Sequence, residues 1–99
     1  MNTIRSRDNT FVKQLVALAH SSRERKKSAL SVLDGIHLVE AYLNVIGEPM
    51  AVAVSESARD RPEAVQLLAR CGNSSQYALA DVLMASASTL DSPAFMMAI

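Results

Sequence analysis

From residue 10 to residue 20, apolar side chains recur at helical spacing: Phe11, Val12, Leu15, Val16, Leu18 and Ala19. That period predicts a helix over Thr10–His20, with N-cap chemistry in Asp8-Asn9-Thr10. Ser21 and Ser22 end the pattern. The next stretch, Arg23-Glu24-Arg25-Lys26-Lys27, has no apolar position and is expected to be a loop. Leu30, Val32 and Leu33 predict a short strand before a turn at Asp34-Gly35. Asp34 is expected to cap the helix that follows, and Gly35 to take a conformation closed to other residues. The period becomes helical again from Ile36, with Leu38, Val39, Tyr42, Leu43 and Ile46 on one side. Gly47 suits the position just past the helix and Pro49 blocks its continuation.

The run Met50–Val54 (MAVAV) is continuous and apolar, as a strand buried on both faces should be. SESARDR is polar and predicts a loop. Pro62 fits a first helical turn, and Val65, Leu67, Leu68 and Cys71 carry that helix toward Gly72. GNSS is a turn, QYALA a strand, and Asp81 can cap a short helix through Val82, Leu83 and Met84. After the loop SASTLDSP, AFMMAI predicts a last strand. Strands and helices thus alternate, which argues for an α/β layered fold with a mostly parallel sheet between helices. An apolar strand closing the chain, with no polar tail after it, leads us to expect a longer protein.

Composition narrows the class. Ninety-nine residues, 49% hydrophobic and 20% charged, suit one globular domain. The N-terminus is too polar for a signal peptide, no apolar run has membrane-spanning length, and one cysteine forms no internal disulfide; the expectation is a cytoplasmic protein. The formal charge is zero, yet its distribution is uneven. Residues 1–27 hold seven cationic side chains and two acids, a net of +5. Residues 28–99 hold three and eight, a net of −5. Such a basic segment can steer a polyanion even in a neutral chain. It can equally be a solvated surface.

Candidate catalytic chemistry is sparse. Gly35, Gly47 and Gly72 are far apart, so no glycine-rich phosphate loop exists. Cys71 lies on the apolar side of its helix, as a small buried hydrophobe would. His20 and His37 have no metal-ligand spacing; His20 suits a helix C-terminus, and His37 is a surface donor at the start of the second helix. Asp34 and Glu40 form no defined acid–base pair. These residues contain no complete active site, and neither catalysis nor a metal is expected of them.

Several motifs, read together, resemble a known family. Ile4-x-Ser6, Asn9, Val12-Lys13, Leu15 and Leu18 are followed by Arg25-Lys26-Lys27, Leu33-Asp34-Gly35 and His37-Leu38-Val39-Glu40-Ala41. This succession resembles the N-terminal substrate-binding domain of the SpoU/TrmH RNA 2′-O-ribose methyltransferases. Ser88-Thr89 and Pro93 resemble the segment before that family's interdomain linker. Val32 stands where the family usually has an aromatic, and Ala94-Phe95 where it usually has Gln-Gly after the proline.

The resemblance implies a three-layer α/β/α sandwich similar to kink-turn-binding ribosomal proteins. It implies that residues 1–99 hold ribosomal or transfer RNA. A knotted catalytic domain, expected C-terminal to them, would bind S-adenosylmethionine, methylate a ribose 2′-hydroxyl and form the homodimer; no cofactor is expected in this chain. On this reading Arg23, Arg25, Lys26 and Lys27 neutralise phosphates, with Arg5, Arg7 and Lys13 extending the patch and His37 beside it. Asn9 is either a helix cap or a polar RNA contact. Phe11, Tyr42, Tyr77 and Phe95 are placed in the core rather than on a base-stacking platform, which predicts recognition of shape and phosphates. Two other readings stay open: a stand-alone kink-turn-type RNA-binding protein, and a protein-interaction or dimerisation module.

Overall fold

The first helix, α1 (Thr10–His20), has the predicted bounds. Asn9 caps it: its Oδ1 accepts from the backbone N–H of Phe11 at 2.9 Å and of Val12 at 3.2 Å. Phe11, Val12, Leu15 and Leu18 form its buried stripe. Leu15 is fully buried, and burying a leucine contributes roughly 1.5–3 kcal/mol.

The computed structural model describes residues 3–99. In chain order, β1 (Thr3–Ile4) precedes α1, and α2 (Ser22–Ser28) and β2 (Leu33–Asp34) follow it. Then come α3 (Ile36–Val45), β3 (Ala51–Ser55), α4 (Pro62–Ala69), β4 (Ser75–Leu79), α5 (Asp81–Ala87) and β5 (Met96–Ala98). A 3-10 turn, Glu56–Ala58, follows β3 within the predicted polar loop. Two elements were not expected. β1 is only two residues long and carries no periodic signal. α2 replaces the expected basic loop.

The cause of α2 is local. The Ser21 hydroxyl accepts from the Glu24 N–H at 3.2 Å, and Ala29 ends the helix in a left-handed conformation at φ 58°. Ser21 and Glu24 have the spacing of a capping box. Arg25, Lys26 and Lys27 fill the last turn, where cations complement the helix dipole. No residue of α2 is buried, so hydrophobic periodicity could not reveal it.

Among the described residues the five strands form one sheet in the order β1-β4-β3-β5-β2. β1, β4 and β3 are parallel neighbours, and β5 is antiparallel to both β3 and β2. Four strands therefore point the same way, and β5, inserted between β3 and β2, makes the sheet mixed. Alternate strand residues feed two cores. On one face Val52, Val54, Ala78, Met96 and Ala98 meet α3 and α4 through Val39, Ala64, Leu67 and Leu68. On the other, Ala53, Leu79 and Met97 meet α1 and α5 through Phe11, Val12, Leu15, Leu83 and Met84. This is the three-layer α/β/α arrangement, with the period of two that a strand buried on both faces requires. Gln76 lies on β4 with its Nε2 donating to the carbonyls of Leu68 (2.9 Å) and Cys71 (3.0 Å), which satisfies the end of α4. Cys71 is fully buried, as expected.

Three details differ from the sequence reading. The N-cap of α3 is Gly35, at φ 115° and with no side-chain bond. Asp34 does not cap that helix. Its carboxylate instead accepts from Ser88 Oγ (2.8 Å), the Thr89 N–H (2.7 Å) and Thr89 Oγ1 (2.9 Å). Asp81 likewise opens α5 without capping it and accepts from the Ser57 N–H at 3.1 Å. On α3 only Val39 is fully inside; Leu38 and Ile46, expected on the inner side, are 52% and 70% exposed. The sheet above α3 is narrow there, because β2 has just two residues.

Candidate nucleic-acid interface

Strand direction decides where the basic residues stand. β1 and β2 point the same way, so the segments that leave them lie at the carboxyl edge of the sheet. Arg5, Arg7 and Asn9 follow β1, and His37 follows β2; all four belong to that edge. Residues 22–32 lead into the start of β2, so α2 lies toward the opposite, amino edge. The expected single patch is thus divided. Arg23, Arg25, Lys26 and Lys27 form one group, and Arg5, Arg7 and His37 another. Lys13 is on the first turn of α1, exposed and nearer the second group.

The groups also differ in their bonding. Arg5 is held by Glu56 in a two-pronged ion pair, Nη1 to Oε2 at 3.1 Å and Nη2 to Oε1 at 2.6 Å. This pair reduces its availability for phosphate, although both partners stay solvated and the pair is worth little to stability. Arg25 is half-buried. Its Nη1 donates to the carbonyl of Leu18 at 2.6 Å and reaches that of Ala19 at 3.4 Å, capping the end of α1. It fastens α2 to α1 and thereby presents its neighbours. Asn9 has its side-chain oxygen committed to the cap of α1. Arg7, Lys13, Arg23, Lys26, Lys27 and His37 are exposed, and among the described residues their side chains have no hydrogen-bond or ion-pair partner. On α2 this leaves three unpartnered cations within five residues, on a helix capped by Ser21 and fastened to α1 through Arg25.

The carboxyl edge contains two arginines that motif reading passed over, because they sit in a polar loop without local pattern. Arg59 reaches Thr3 Oγ1 at 3.5 Å, and the Arg61 guanidinium lies 4.9 Å from the centre of the Phe95 ring. Beside them is a cleft of about 270 Å³ lined by Ser57, Arg61, Asp81 and Phe95 among others. The hydrogen bond from the Ser57 N–H holds the Asp81 carboxyl below its usual range, so it stays an anion and makes the cleft mixed in charge. Phe11 is buried and lies flat on Tyr77, with ring centres 4.0 Å apart, so this pair is committed to the core. Tyr42, expected in the core, is only half-buried and lines a separate cleft with Leu33 and Met50.

The chain matches the family model of the MRM3-like substrate binding domain over residues 9–98. It belongs to that family. A comparison with curated proteins gives no match. Among solved structures, it is similar to a crystal structure of an RNA 2′-O ribose methyltransferase, at 23% identity and a TM-score of 0.81, covering 98% of this chain and 36% of that one. It is also similar to an rRNA methyltransferase from Sinorhizobium meliloti, at 16% identity and a TM-score of 0.77, covering 98% and 35%. An AdoMet-bound structure of an rRNA methyltransferase from the same organism gives 17% and 0.69, covering 97% and 34%. These likenesses bear out the three-layer α/β fold. The MRM3-like domain spans about a third of the length of each of those chains.

Proposed function

We propose that this domain holds structured RNA for a 2′-O-ribose methyltransferase of the SpoU/TrmH kind. Membership of a substrate-binding family carries the reading. The physical support is the α2 surface, where Arg23, Lys26 and Lys27 stand exposed and without internal partners. A helix fixes their spacing more firmly than a loop would, which lowers the ordering cost of meeting phosphates. Binding of this type releases counterions and falls steeply with salt. With Phe11 and Tyr77 stacked on each other and no aromatic on α2, the contact of that helix reads RNA shape and backbone more than sequence.

On this reading the methyl transfer, the S-adenosylmethionine site and the homodimer contacts belong to a catalytic domain beyond these residues. The target is ribosomal or transfer RNA and the setting the cytoplasm. The solved relatives described as rRNA methyltransferases favour the ribosomal target. The test is a titration of labelled ribosomal and transfer RNA hairpins at several salt concentrations. Saturable, salt-sensitive binding is expected. Absence of binding at low salt would turn the reading toward a protein-interaction module.

A further inference from the structure

A groove of about 310 Å³ runs between α1 and α5. Val12 and Leu83 form its floor, both nearly inaccessible, and the half-buried Val16 and Ala17 form a wall. Arg7 and Lys13 stand on the rim, and Ser86 supplies one hydroxyl. No carboxylate lines it. Three other clefts on the described surface do contain carboxylates: Asp81 in one, Glu48 in another, and both Glu40 and Glu63 in a third. Unlike those three, this groove combines an apolar interior with a rim whose charged side chains are both cationic.

That combination suits a particular occupant. An apolar slot favours a flat, weakly solvated ring, and the two cations favour anions on either side of it. A nucleobase turned out of a helix, with its flanking phosphates, has both features. An amphipathic peptide helix would need a longer line of anchoring sites, spaced over two turns, than a groove of this size offers. We propose that the α1–α5 groove receives one unpaired base extruded from structured RNA, with Arg7 and Lys13 on the adjoining phosphates. The Ser86 hydroxyl then faces the base edge, while the Ser86 carbonyl is already occupied by His20 Nε2 at 3.0 Å. This inference rests on the RNA-binding reading above and gives the carboxyl-edge cations a role distinct from that of α2.

The test uses the full chain, a fully paired RNA hairpin, and the same hairpin carrying one unpaired 2-aminopurine. The bulged hairpin is expected to bind about tenfold tighter, with a change in 2-aminopurine emission on saturation. Ala17→Leu fills the groove and should abolish that preference while leaving affinity for the paired hairpin intact, which also reports that the variant is folded. Val16→Phe is a second filling variant with the same expected outcome. Arg7→Ala with Lys13→Ala should weaken both RNAs. Equal affinity of the unmodified protein for the two hairpins, or a preference that survives groove filling, overturns the inference and leaves the RNA-binding reading standing. Groove-dependent binding of a leucine–glutamate peptide without any bulge preference overturns it in favour of a protein segment. No binding of either hairpin removes both readings.

Discussion

Asp34→Ala should destabilise the domain severely, and for a reason its sequence neighbours do not reveal. The carboxylate accepts three hydrogen bonds from Ser88 and Thr89, all between 2.7 and 2.9 Å. Ser88 is buried, and its hydroxyl oxygen in turn accepts from the N–H groups of Leu90 (3.3 Å) and Ala94 (3.1 Å). The carboxylate thus ties the end of β2 to the segment that delivers β5 into the middle of the sheet. Hydrogen bonds to a charged group are worth about 1.5–3 kcal/mol each when shielded and less when solvated. The Thr89 bonds are solvated, so the sum comes to roughly 2–4 kcal/mol. For a domain of this size that lowers Tm by roughly 10–25 °C. Urea unfolding measures the loss, and a double-mutant cycle with Thr89→Val isolates the long-range part. A coupling energy of about 1 kcal/mol or more is expected between positions 34 and 89. If Asp34 served only to cap α3, the single variant would cost about 1 kcal/mol and the coupling to Thr89 would be zero. That result would refute the reasoning.

Three further outcomes follow from the same geometry. Ser21→Ala removes the cap of α2 and should cost about 1 kcal/mol in urea unfolding, with loss of helical circular dichroism. The Cys71 thiol is raised above its ordinary value of 9.0, chiefly by burial, so a thiol reagent at mildly alkaline pH should label it far faster in denaturant than in the native state; equal rates would contradict its placement. Asp81 has its folded-state pKa depressed by the Ser57 N–H, so its contribution to stability is complete above the ordinary value of 3.8 and lost as pH falls through the lower folded value. The stability difference between the unmodified protein and Asp81→Asn should accordingly be constant near neutrality and shrink in acid, as followed by thermal melts.

Much of the layered architecture was legible because apolar periodicity reports burial directly. α1 has its predicted bounds, α3 begins at Ile36 as predicted, and Gly35 and Gly47 have the positive φ that begins or ends a helix. Periodicity is silent where nothing is buried, which is why α2 was missed although Ser21 and Glu24 carried its signature. It is also silent about partners far away in the chain. Asp34 meets residues 54 and 55 positions on, and Arg5 meets Glu56, 51 positions on. Local chemistry suggests a cap for the one and a free cation for the other. The division of the basic residues between two edges needed the strand order, since it follows from β1 and β2 pointing the same way.

The central claim is that the exposed cations of α2 contact RNA phosphates. Replacing Arg23, Lys26 and Lys27 together with alanine tests it most directly, because Arg25, which fastens α2 to α1, is left in place. The quantity to measure is the slope of log affinity against log salt for a structured RNA hairpin, for the unmodified protein and the triple variant. Each lost phosphate contact reduces the slope by about 0.7–0.9, so loss of all three should flatten it by about two units or more. An unchanged slope, with the variant folded and bound, would contradict the account.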